Sequence, residues 1–189
     1  MSAQDSKLFV ISGPSGAGKG TLVTRVRERR SNLGLTVSAT TRAPRKGEVD
    51  GVNYFFLTRE EFDRRVANGE FVEWAEVHGN CYGTLVSEVQ SKLASGSSLI
   101  LEIDVQGALQ VKERFPEAVL IFIKPPSLEV LRERLVGRGT ETPETIELRM
   151  ANAAVELALA DRYDDVVVND DLDRATDELV RVLDMHERI

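Results

Sequence analysis

The sequence predicts an α/β protein in which helices flank a parallel sheet. Segments with the pattern of strands alternate along the chain with segments that carry a helical apolar stripe. Residues 118–123 are almost entirely apolar, as expected for a strand that is buried on both faces of a parallel sheet. A glycine-rich stretch at residues 13–21 lies between the first such strand and the first such helix.

The first half of the chain begins as a strand–helix unit and then becomes rich in strands. We expect a strand at 7–12, a helix at about 18–30 and a strand at 33–41. Thr58 and Glu61 form a capping box that begins a further helix. The remaining β-prone runs, of which the last two are expected to pair as a hairpin, are 52–57, 71–76 and 82–86. Residues 39–86 therefore look like an insertion into a strand–helix scaffold.

The regular alternation resumes in the second half. The expected strands are 99–104, 118–123 and 165–169. The expected helices are 86–95, 105–115, 128–136, 144–160 and 172–188. Thr142 as N-cap and Pro143 at the first helical position mark the start of the fourth of these helices.

Composition bounds the class of protein. The chain has 189 residues, 42% of them hydrophobic and 29% charged, which suits one globular domain with modest insertions. Its 24 Lys and Arg against 31 Asp and Glu give a net charge of −7, which argues against a general nucleic-acid binder. Cys81 is the only cysteine, so the sequence offers neither a disulfide framework nor a thiolate metal site.

The pattern of apolar residues predicts neither a membrane span nor a signal peptide. No apolar run reaches membrane-spanning length, and the N-terminus lacks the apolar region of a signal peptide. We therefore expect a cytoplasmic protein with neither nucleic-acid nor membrane partners. The sequence leaves open whether it is a monomer or a homo-oligomer.

The glycine-rich run Gly13–Thr21 fits the G-x-x-x-x-G-K pattern of a phosphate-binding loop. At the start of a helix, free N–H groups and the helix dipole favour an anion, and Lys19 adds a charge near the β- and γ-phosphates of a nucleotide. The usual Ser or Thr after the lysine is replaced by Gly20. A magnesium ion would therefore be held by Thr21 or mostly through water. The alternative is an ordinary glycine-rich turn.

Two carboxylates lie at the C-terminal end of the strand expected at 99–104. Ligands bind at the carboxyl ends of parallel strands, so Glu102 and Asp104 should lie near the phosphate loop. Asp104 suits an outer-shell magnesium contact or a ribose contact, and the alternative is a helix N-cap. Glu102 stands in an apolar strand, so it needs a partner or a shifted pKa, and the alternative is a structural ion pair with a core Arg or Lys.

Arginines supply candidate ligands for phosphate. Arg42 and Arg45 form either a fork for a phosphate or carboxylate, or a solvated basic turn. Arg138 lies between two glycines, and Arg149 borders the apolar stripe of the next helix. Cations on a movable element suit the transition-state charge of phosphoryl transfer, and the alternative for both is ion pairing on a helix surface.

Two further arginines, Arg132 and Arg134, are expected to be surface residues that form such ion pairs. The expected hairpin holds a different set of polar residues, Glu73, Tyr82 and Thr84, with Ser38 nearby. Glu73 and Trp74 face opposite sides of a strand, so Glu73 points outward if Trp74 packs inward.

A carboxylate such as Glu73 can accept two parallel hydrogen bonds from N1–H and the 2-amino group of guanine. The N1 atom of adenine is an acceptor and would be repelled. Taken alone, Glu73 is more often a surface residue of a strand.

The order of these pieces resembles the guanylate kinase family of nucleoside-monophosphate kinases, over nearly the whole chain. The runs that carry the resemblance are GPSGAGKGT (13–21), SATTRAPRKGE (38–48), VNYFFL (52–57), FVEWAEVHGNCYGT (71–84), LEIDVQG (101–107), GRGTET (137–142) and VVNDDL (167–172). The resemblance implies a phosphate-loop fold with five segments: core at 1–38, a GMP-binding insertion at 39–86, core at 87–126, a lid region at 127–160 and core at 161–189.

The resemblance also implies roles for single residues. The ATP-binding set is Gly13, Pro14, Ser15, Gly16, Ala17, Gly18, Lys19, Gly20, Thr21, Arg138 and Asn169, the last near the adenine. The GMP-binding set is Ser38, Arg42, Arg45, Tyr54, Glu73, Tyr82, Thr84, Glu102 and Asp104. Lys19, Arg42, Arg138 and Arg149 would be catalytic, and Thr21 and Asp104 would serve magnesium. Two departures are Gly20, where the family commonly has Ser, and Thr84, which keeps the hydroxyl of the usual Ser.

The resemblance implies the reaction ATP + GMP → ADP + GDP, assisted by Mg²⁺, with dGMP as an expected second acceptor. Two other functions stay open. One is a non-catalytic scaffold module of the same fold that binds phosphopeptides, although such modules typically have a degraded phosphate loop. The other is a kinase for a sugar bisphosphate, which would keep the loop but lose Glu73, Tyr82 and Thr84.

Overall fold

The computed structural model describes residues 6–77, 79–137, 139 and 142–187, and this part of the chain contains nine strands. They are β1 Leu8–Ser12, β2 Gly34–Leu35, β3 Ala39–Thr40, β4 Phe55–Phe56, β5 Phe71–Val77, β6 Asn80–Leu85, β7 Leu99–Glu102, β8 Val119–Lys124 and β9 Asp165–Val168. Five strands pair in parallel in the order β2-β7-β1-β8-β9. The predicted α/β class with a parallel sheet is confirmed.

Seven α-helices and a 3₁₀-helix at Ala160–Arg162 accompany the strands in the described residues. The α-helices are α1 Lys19–Arg29, α2 Arg59–Ala67, α3 Val86–Ala94, α4 Val105–Arg114, α5 Leu128–Gly137, α6 Pro143–Leu157 and α7 Leu172–Glu187. The predicted N-caps are confirmed, because Thr58 accepts from the Glu61 N–H (3.1 Å) and Thr142 from the Thr145 N–H (3.3 Å). In the described part of the chain, no helix has both the length and the apolar character needed to cross a bilayer.

The second sheet comes from the strand-rich stretch of the sequence. Its order is β4-β3-β6-β5, and β5 and β6 form the predicted antiparallel hairpin. The register sets Glu73 opposite Thr84 and Ala75 opposite Tyr82. Because residues directly opposite in such a pair lie on the same face, Glu73 and Thr84 are brought together by strand pairing alone.

The strand predicted at 33–41 is wrong as a single element. Gly34 and Leu35 pair with β7 in the parallel sheet, whereas β3 pairs with β6 and β4 in the second sheet. Between them, the Val37 N–H donates to the Glu88 carboxylate (3.0 Å) instead of to a strand. The chain therefore leaves one sheet and joins another within a few residues. The β-prone run at 52–57 likewise shortens to β4.

The core lies on both faces of the parallel sheet. On one face α1 and α7 pack against the strands through Val26, Leu179 and Leu183, all fully buried. On the other face α4 packs through Ala108 and Val111. The first five residues of β8 are buried, as the almost entirely apolar sequence predicts for a central parallel strand.

We predict that Leu183→Ala destabilises the protein by about 2–5 kcal/mol, because it removes a fully buried side chain and leaves a cavity between α7 and the sheet. The free energy of unfolding would be measured by urea denaturation. The matched control is Leu148→Ala, since this side chain on α6 is 62% exposed and its loss should change stability by less than about 0.5 kcal/mol. Equal losses in the two variants would contradict the described core.

Candidate functional site

The phosphate loop emerges from the middle of the parallel sheet, because β1 lies between β7 and β8. Two glycines let the loop pack closely against the carboxyl ends of the neighbouring strands. Gly13 has φ +139°, and a Cβ there would collide with the carbonyl oxygen of Ile123 in β8. Gly18, the N-cap of α1, has φ +89°, and a Cβ there would collide with the amide of Asn169. The loop can follow this path only with glycine at both positions.

Lys19 folds back across the loop. Its Nζ donates to the carbonyl oxygens of Gly13 (2.6 Å) and Pro14 (3.1 Å). The loop borders a cavity of about 310 Å³, which is lined by Ser15, Gly16, Gly18, Lys19, Gly20, Thr21 and Glu102. The main-chain N–H groups at the start of α1 and the ammonium therefore meet at one opening, which suits a phosphate chain.

Two carboxylates interact electrostatically with Lys19. The carboxylate of Glu102 lies about 3.5 Å from where a Cβ on Gly20 would be, so it borders the space that the missing side chain leaves. Although Glu102 as a residue is exposed, the packing around its carboxyl raises its pKa, and the charge of Lys19 opposes the rise. Glu156 of α6 was not predicted from the sequence. Burial raises its pKa, Lys19 lowers it, and Asp104 raises it.

These oxygen groups fit a hard cation such as Mg²⁺. Thr21 offers a hydroxyl at the loop, and Glu102 offers a carboxylate across the same cavity. No group of three or more His, Cys, Asp or Glu side chains able to hold a metal occurs among the described residues. Mg²⁺ usually keeps several water ligands and binds through one or two protein oxygens and the substrate phosphates, so this sparse set suffices.

A second cavity of about 440 Å³ adjoins the loop on the side of α5. It is lined by Gly16, Gly18, Thr21, Arg134, Gly137, Asn169, Asp170 and Leu172. Asn169 is 5% exposed and donates through Nδ2 to the Ala17 carbonyl (2.8 Å), so it lies directly against the phosphate loop.

Arg134 is the main correction to the sequence-based site, because it is not a surface residue in an ion pair. Its Nη2 donates to the Asn169 carbonyl (2.8 Å), and its Nη1 is buried without a hydrogen-bond partner among the described residues. Helical periodicity could have found it, since Arg134 lies three residues after Leu131, a buried residue of α5, and so on the same side of the helix. Arg132, by contrast, is exposed and forms an ion pair with Glu147, as expected for the helix surface.

Of the two lid arginines, Arg149 reaches the loop. Its guanidinium donates to the Ser15 hydroxyl from α6, so the second helix of the predicted lid region, residues 127–160, touches the phosphate loop directly. Glu156 lies seven residues further along α6, about two helical turns away, and so on the same side of the helix. Arg138 lies outside the described residues.

Arg42 and Arg45 lie on one turn but do not form a symmetrical fork. The Arg42 guanidinium pairs with Glu48 and stands over the rings of Tyr54 (5.4 Å) and Phe56 (5.9 Å). Arg45 is exposed. The rings of Tyr54 and Tyr82 meet edge-on at 6.3 Å, so Arg42, Tyr54 and Tyr82, three members of the predicted GMP-binding set, are neighbours.

Glu73 contacts Thr84, another polar residue of the predicted hairpin. Trp74 does not pack inward, so the side of the strand that carries Glu73 is the more buried one. Trp74 is 42% exposed, and Glu73 turns toward Thr84, whose hydroxyl donates to it (2.8 Å). Burial raises the pKa of the Glu73 carboxyl, the Thr84 hydrogen bond opposes this, and the charge of Asp104 adds to it. A desolvated carboxylate with an accepting oxygen left over is a strong acceptor for two N–H groups.

Asp104 is the N-cap of α4 and accepts from the Gly107 N–H (2.7 Å), the alternative that the sequence left open. A Cβ on Gly107 would lie 3.4 Å from both the Asp104 and the Glu73 carboxylates, so the two flank this glycine. Ser38 is half-buried, and its carbonyl accepts from the Phe55 N–H (2.9 Å) beside β3. The second sheet thus brings its polar residues to the start of α4.

The two halves of the site are electrostatically continuous. Asp104 acts on the pKa of Glu73 on one side and on that of Glu156 on the other, while Glu156 also interacts with Lys19. The parallel sheet explains this, because β7, which leads to Asp104, is the neighbour of β1, which leads to the loop. Asp104 therefore follows a strand next to the one that leads to the phosphate loop, and it lies beside Gly107 together with Glu73.

Comparison with known proteins agrees with this arrangement. The family model described as guanylate kinase matches residues 5–186. The chain is 57% identical over 178 residues to the guanylate kinase of Gloeobacter violaceus, which covers 94% of this chain and 87% of that protein. It is 52% identical over 183 residues to that of Halalkalibacterium halodurans, with 97% and 90% covered.

Solved structures give the same answer. The crystal structure of guanylate kinase from Anaplasma phagocytophilum superimposes with a TM-score of 0.72 at 37% sequence identity. The match covers 96% of this chain and 86% of that one. With a family model over nearly the whole chain and relatives above half identity, the resemblance seen in the sequence is confirmed, and the chain belongs to the guanylate kinase family.

Proposed function

We propose that this chain transfers the γ-phosphoryl group of ATP to GMP, giving ADP and GDP, with dGMP as a second acceptor. The observation that carries this is the Glu73–Thr84 pair beside Asp104, in the same chain as a complete phosphate loop. Guanine offers two adjacent N–H donors to Glu73, and the loop offers N–H groups and Lys19 to a triphosphate. Family membership supports this activity.

On the ATP side, the loop from Gly13 to Thr21 holds the phosphates. The adenine occupies the cavity between Arg134 and Asn169, where a planar guanidinium can stack on a ring. Arg149 approaches the phosphates from α6, and Arg138 does so from the lid region, residues 127–160. We propose that this region moves as a lid over the bound nucleotides.

On the GMP side, the insertion at residues 39–86 supplies most of the contacts. Glu73, Ser38, Thr84 and Asp104 hold the base, and the phosphate is held by Arg42, Arg45, Tyr54 and Tyr82. Glu102 stands between the two nucleotides. The remaining segments, 1–38, 87–126 and 161–189, form the core that carries these parts.

Magnesium fits the same opening. Thr21 and Glu102 would hold it, in part through water, and Asp104 would contact its outer shell. When bound, Mg²⁺ neutralises charge on the β- and γ-phosphates. We further propose that the protein works in the cytoplasm, where the buried thiol of Cys81 stays reduced.

The transfer needs no general base. The phosphate of GMP is largely dianionic near pH 7, because its second pKa is about 6, so one of its oxygens attacks the γ-phosphorus directly. The new O–P bond forms as the bond to the β-phosphate oxygen breaks and ADP leaves. Catalysis is then the alignment of two nucleotides and the stabilisation of spreading negative charge by Lys19, Arg138 and Arg149.

We predict that GMP is phosphorylated with a kcat/KM about 10⁴-fold higher than that of AMP, because adenine presents an acceptor at N1 to the desolvated Glu73 carboxylate instead of the two N–H donors of guanine. A coupled assay of ADP release across GMP, dGMP, AMP and sugar phosphates measures this. Glu73→Ala should lower kcat/KM for GMP and so reduce the ratio of kcat/KM for GMP to kcat/KM for AMP. ATP binding would be measured by a separate titration, because a protein that does not bind ATP would fit the alternative of a non-catalytic scaffold module better than a kinase. Equal rates for AMP and GMP would remove Glu73 from its role.

We predict that Lys19→Ala lowers kcat by roughly 10²–10³-fold, the cost of one lost transition-state charge contact. Affinity for GMP should change little, because Lys19 lies at the loop and not in the insertion. The control is Arg27→Ala, which removes an exposed cation from the same helix. Steady-state kinetics and GMP titration distinguish the two effects, and near-normal turnover of Lys19→Ala would refute the assignment.

We predict that Arg134→Ala raises the KM for ATP by about tenfold and leaves the KM for GMP unchanged, since a stacked and charge-assisted contact is worth ~1–2 kcal/mol. Arg132→Ala is the matched control, because it removes an exposed arginine two residues away on α5. An equal rise in the KM of both nucleotides, or no rise, would argue against adenine in this cavity.

A further inference from the structure

The Arg42–Glu48 ion pair is less exposed than the ion pair of Arg59 and Asp63 on α2. The two side chains are 15% and 19% exposed, whereas those of Arg59 and Asp63 are 55% and 56% exposed. An ion pair that is mostly shielded is less weakened by solvent and salt than one at the surface. The Arg42–Glu48 pair can therefore hold a defined geometry.

Glu48 makes more contacts than an ordinary ion pair requires. Arg42 Nη2 donates to both of its oxygens (2.8 and 3.0 Å), and the Arg45 N–H donates to Oε2 (2.7 Å). The Glu48 N–H in turn donates to the Arg45 carbonyl (3.0 Å). One carboxylate thus ties the Arg42 side chain to the main chain of Arg45.

The Arg42 guanidinium is fixed on its other sides as well. Nη1 donates to the Ala43 carbonyl (2.7 Å), and the guanidinium carbon stands 5.4 Å from the ring centre of Tyr54. A guanidinium carries five N–H donors, so these contacts leave donors for a second anion. The hydrogen bond from Arg42, and next that from the Arg45 N–H, lower the pKa of Glu48, so it is ionised at neutral pH.

We propose that Glu48 is a positioning residue for the phosphate of GMP: it does not touch the phosphate but holds Arg42 against Tyr54 and closes the turn that carries Arg45. This inference rests on the proposed role of Arg42 as a phosphate ligand. A guanidinium that is already oriented loses little side-chain entropy when the phosphate binds, and this offsets the repulsion from the nearby carboxylate.

The test compares GMP with guanosine, which lacks the phosphate, by calorimetric titration of the whole protein. Glu48→Ala should weaken GMP binding about tenfold, because a donor that is free to move forms a poorer charge-assisted bond. Guanosine affinity should stay unchanged. In steady-state kinetics the KM for GMP should rise by the same factor, while kcat at saturating GMP and the KM for ATP stay within about twofold.

Three further variants separate positioning from other roles. Glu48→Gln keeps an acceptor but loses the charge, and should weaken GMP binding only about threefold. In the double variant Arg42→Ala with Glu48→Ala, loss of Glu48 should weaken GMP binding by less than the tenfold expected for Glu48→Ala alone, because the contribution made through Arg42 is already lost. Glu61→Ala is the control: it removes an ion-paired carboxylate from α2 in the same insertion and should leave the affinities for GMP and guanosine unchanged.

The outcomes are distinct. Unchanged or tighter GMP binding by Glu48→Ala overturns the inference, as does an equal loss of GMP and guanosine, which would indicate general damage to the insertion. If Arg42→Ala binds GMP normally, the proposed phosphate ligand is wrong and the inference falls with it. If Arg42→Ala weakens binding and Glu48→Ala does not, only the inference fails.

Discussion

The close approach of the phosphate loop to the edge of the parallel sheet is the constraint on which the rest of the site depends. Gly13 lies against a carbonyl of β8, and Gly18 against the amide of Asn169, which follows β9. Strands from distant parts of the chain thus shape a nine-residue loop. The loop in turn presents N–H groups and Lys19 at the place where Arg149 and Glu102 arrive.

Each cation described around this opening has a protein partner. Lys19 binds loop carbonyls, Arg134 binds the carbonyl of Asn169, Arg149 binds Ser15, and Arg42 binds Glu48. Keeping an unpaired cation partly buried would cost free energy, and these contacts remove that cost. Lys19, Arg134 and Arg149 all lie at the phosphate loop, so a chain with a net charge of −7 still concentrates cations there.

Much of this could be predicted from sequence, and the errors have physical causes. Alternation of strands and helices, the capping residues Thr58 and Thr142, and the glycine pattern depend on neighbours a few residues apart, which sequence shows directly. Arg134 was misjudged because its environment comes from Asn169, 35 residues away. The facing of Trp74 and Glu73 was unresolved because alternation along a strand does not say which face is covered.

The sequence by itself determined the fold class, the phosphate loop and the family, because these depend on local patterns and on runs of residues that recur together. Tertiary structure alone decided which side chains meet their partners: Arg149 with Ser15, Arg134 with Asn169, and Glu48 with Arg42. Even Glu48 and Arg42, only six residues apart, meet because the turn between them closes and Tyr54 supports the guanidinium. Such contacts depend on strand pairing and on the crossing of chain segments, and no local pattern of residue types specifies them.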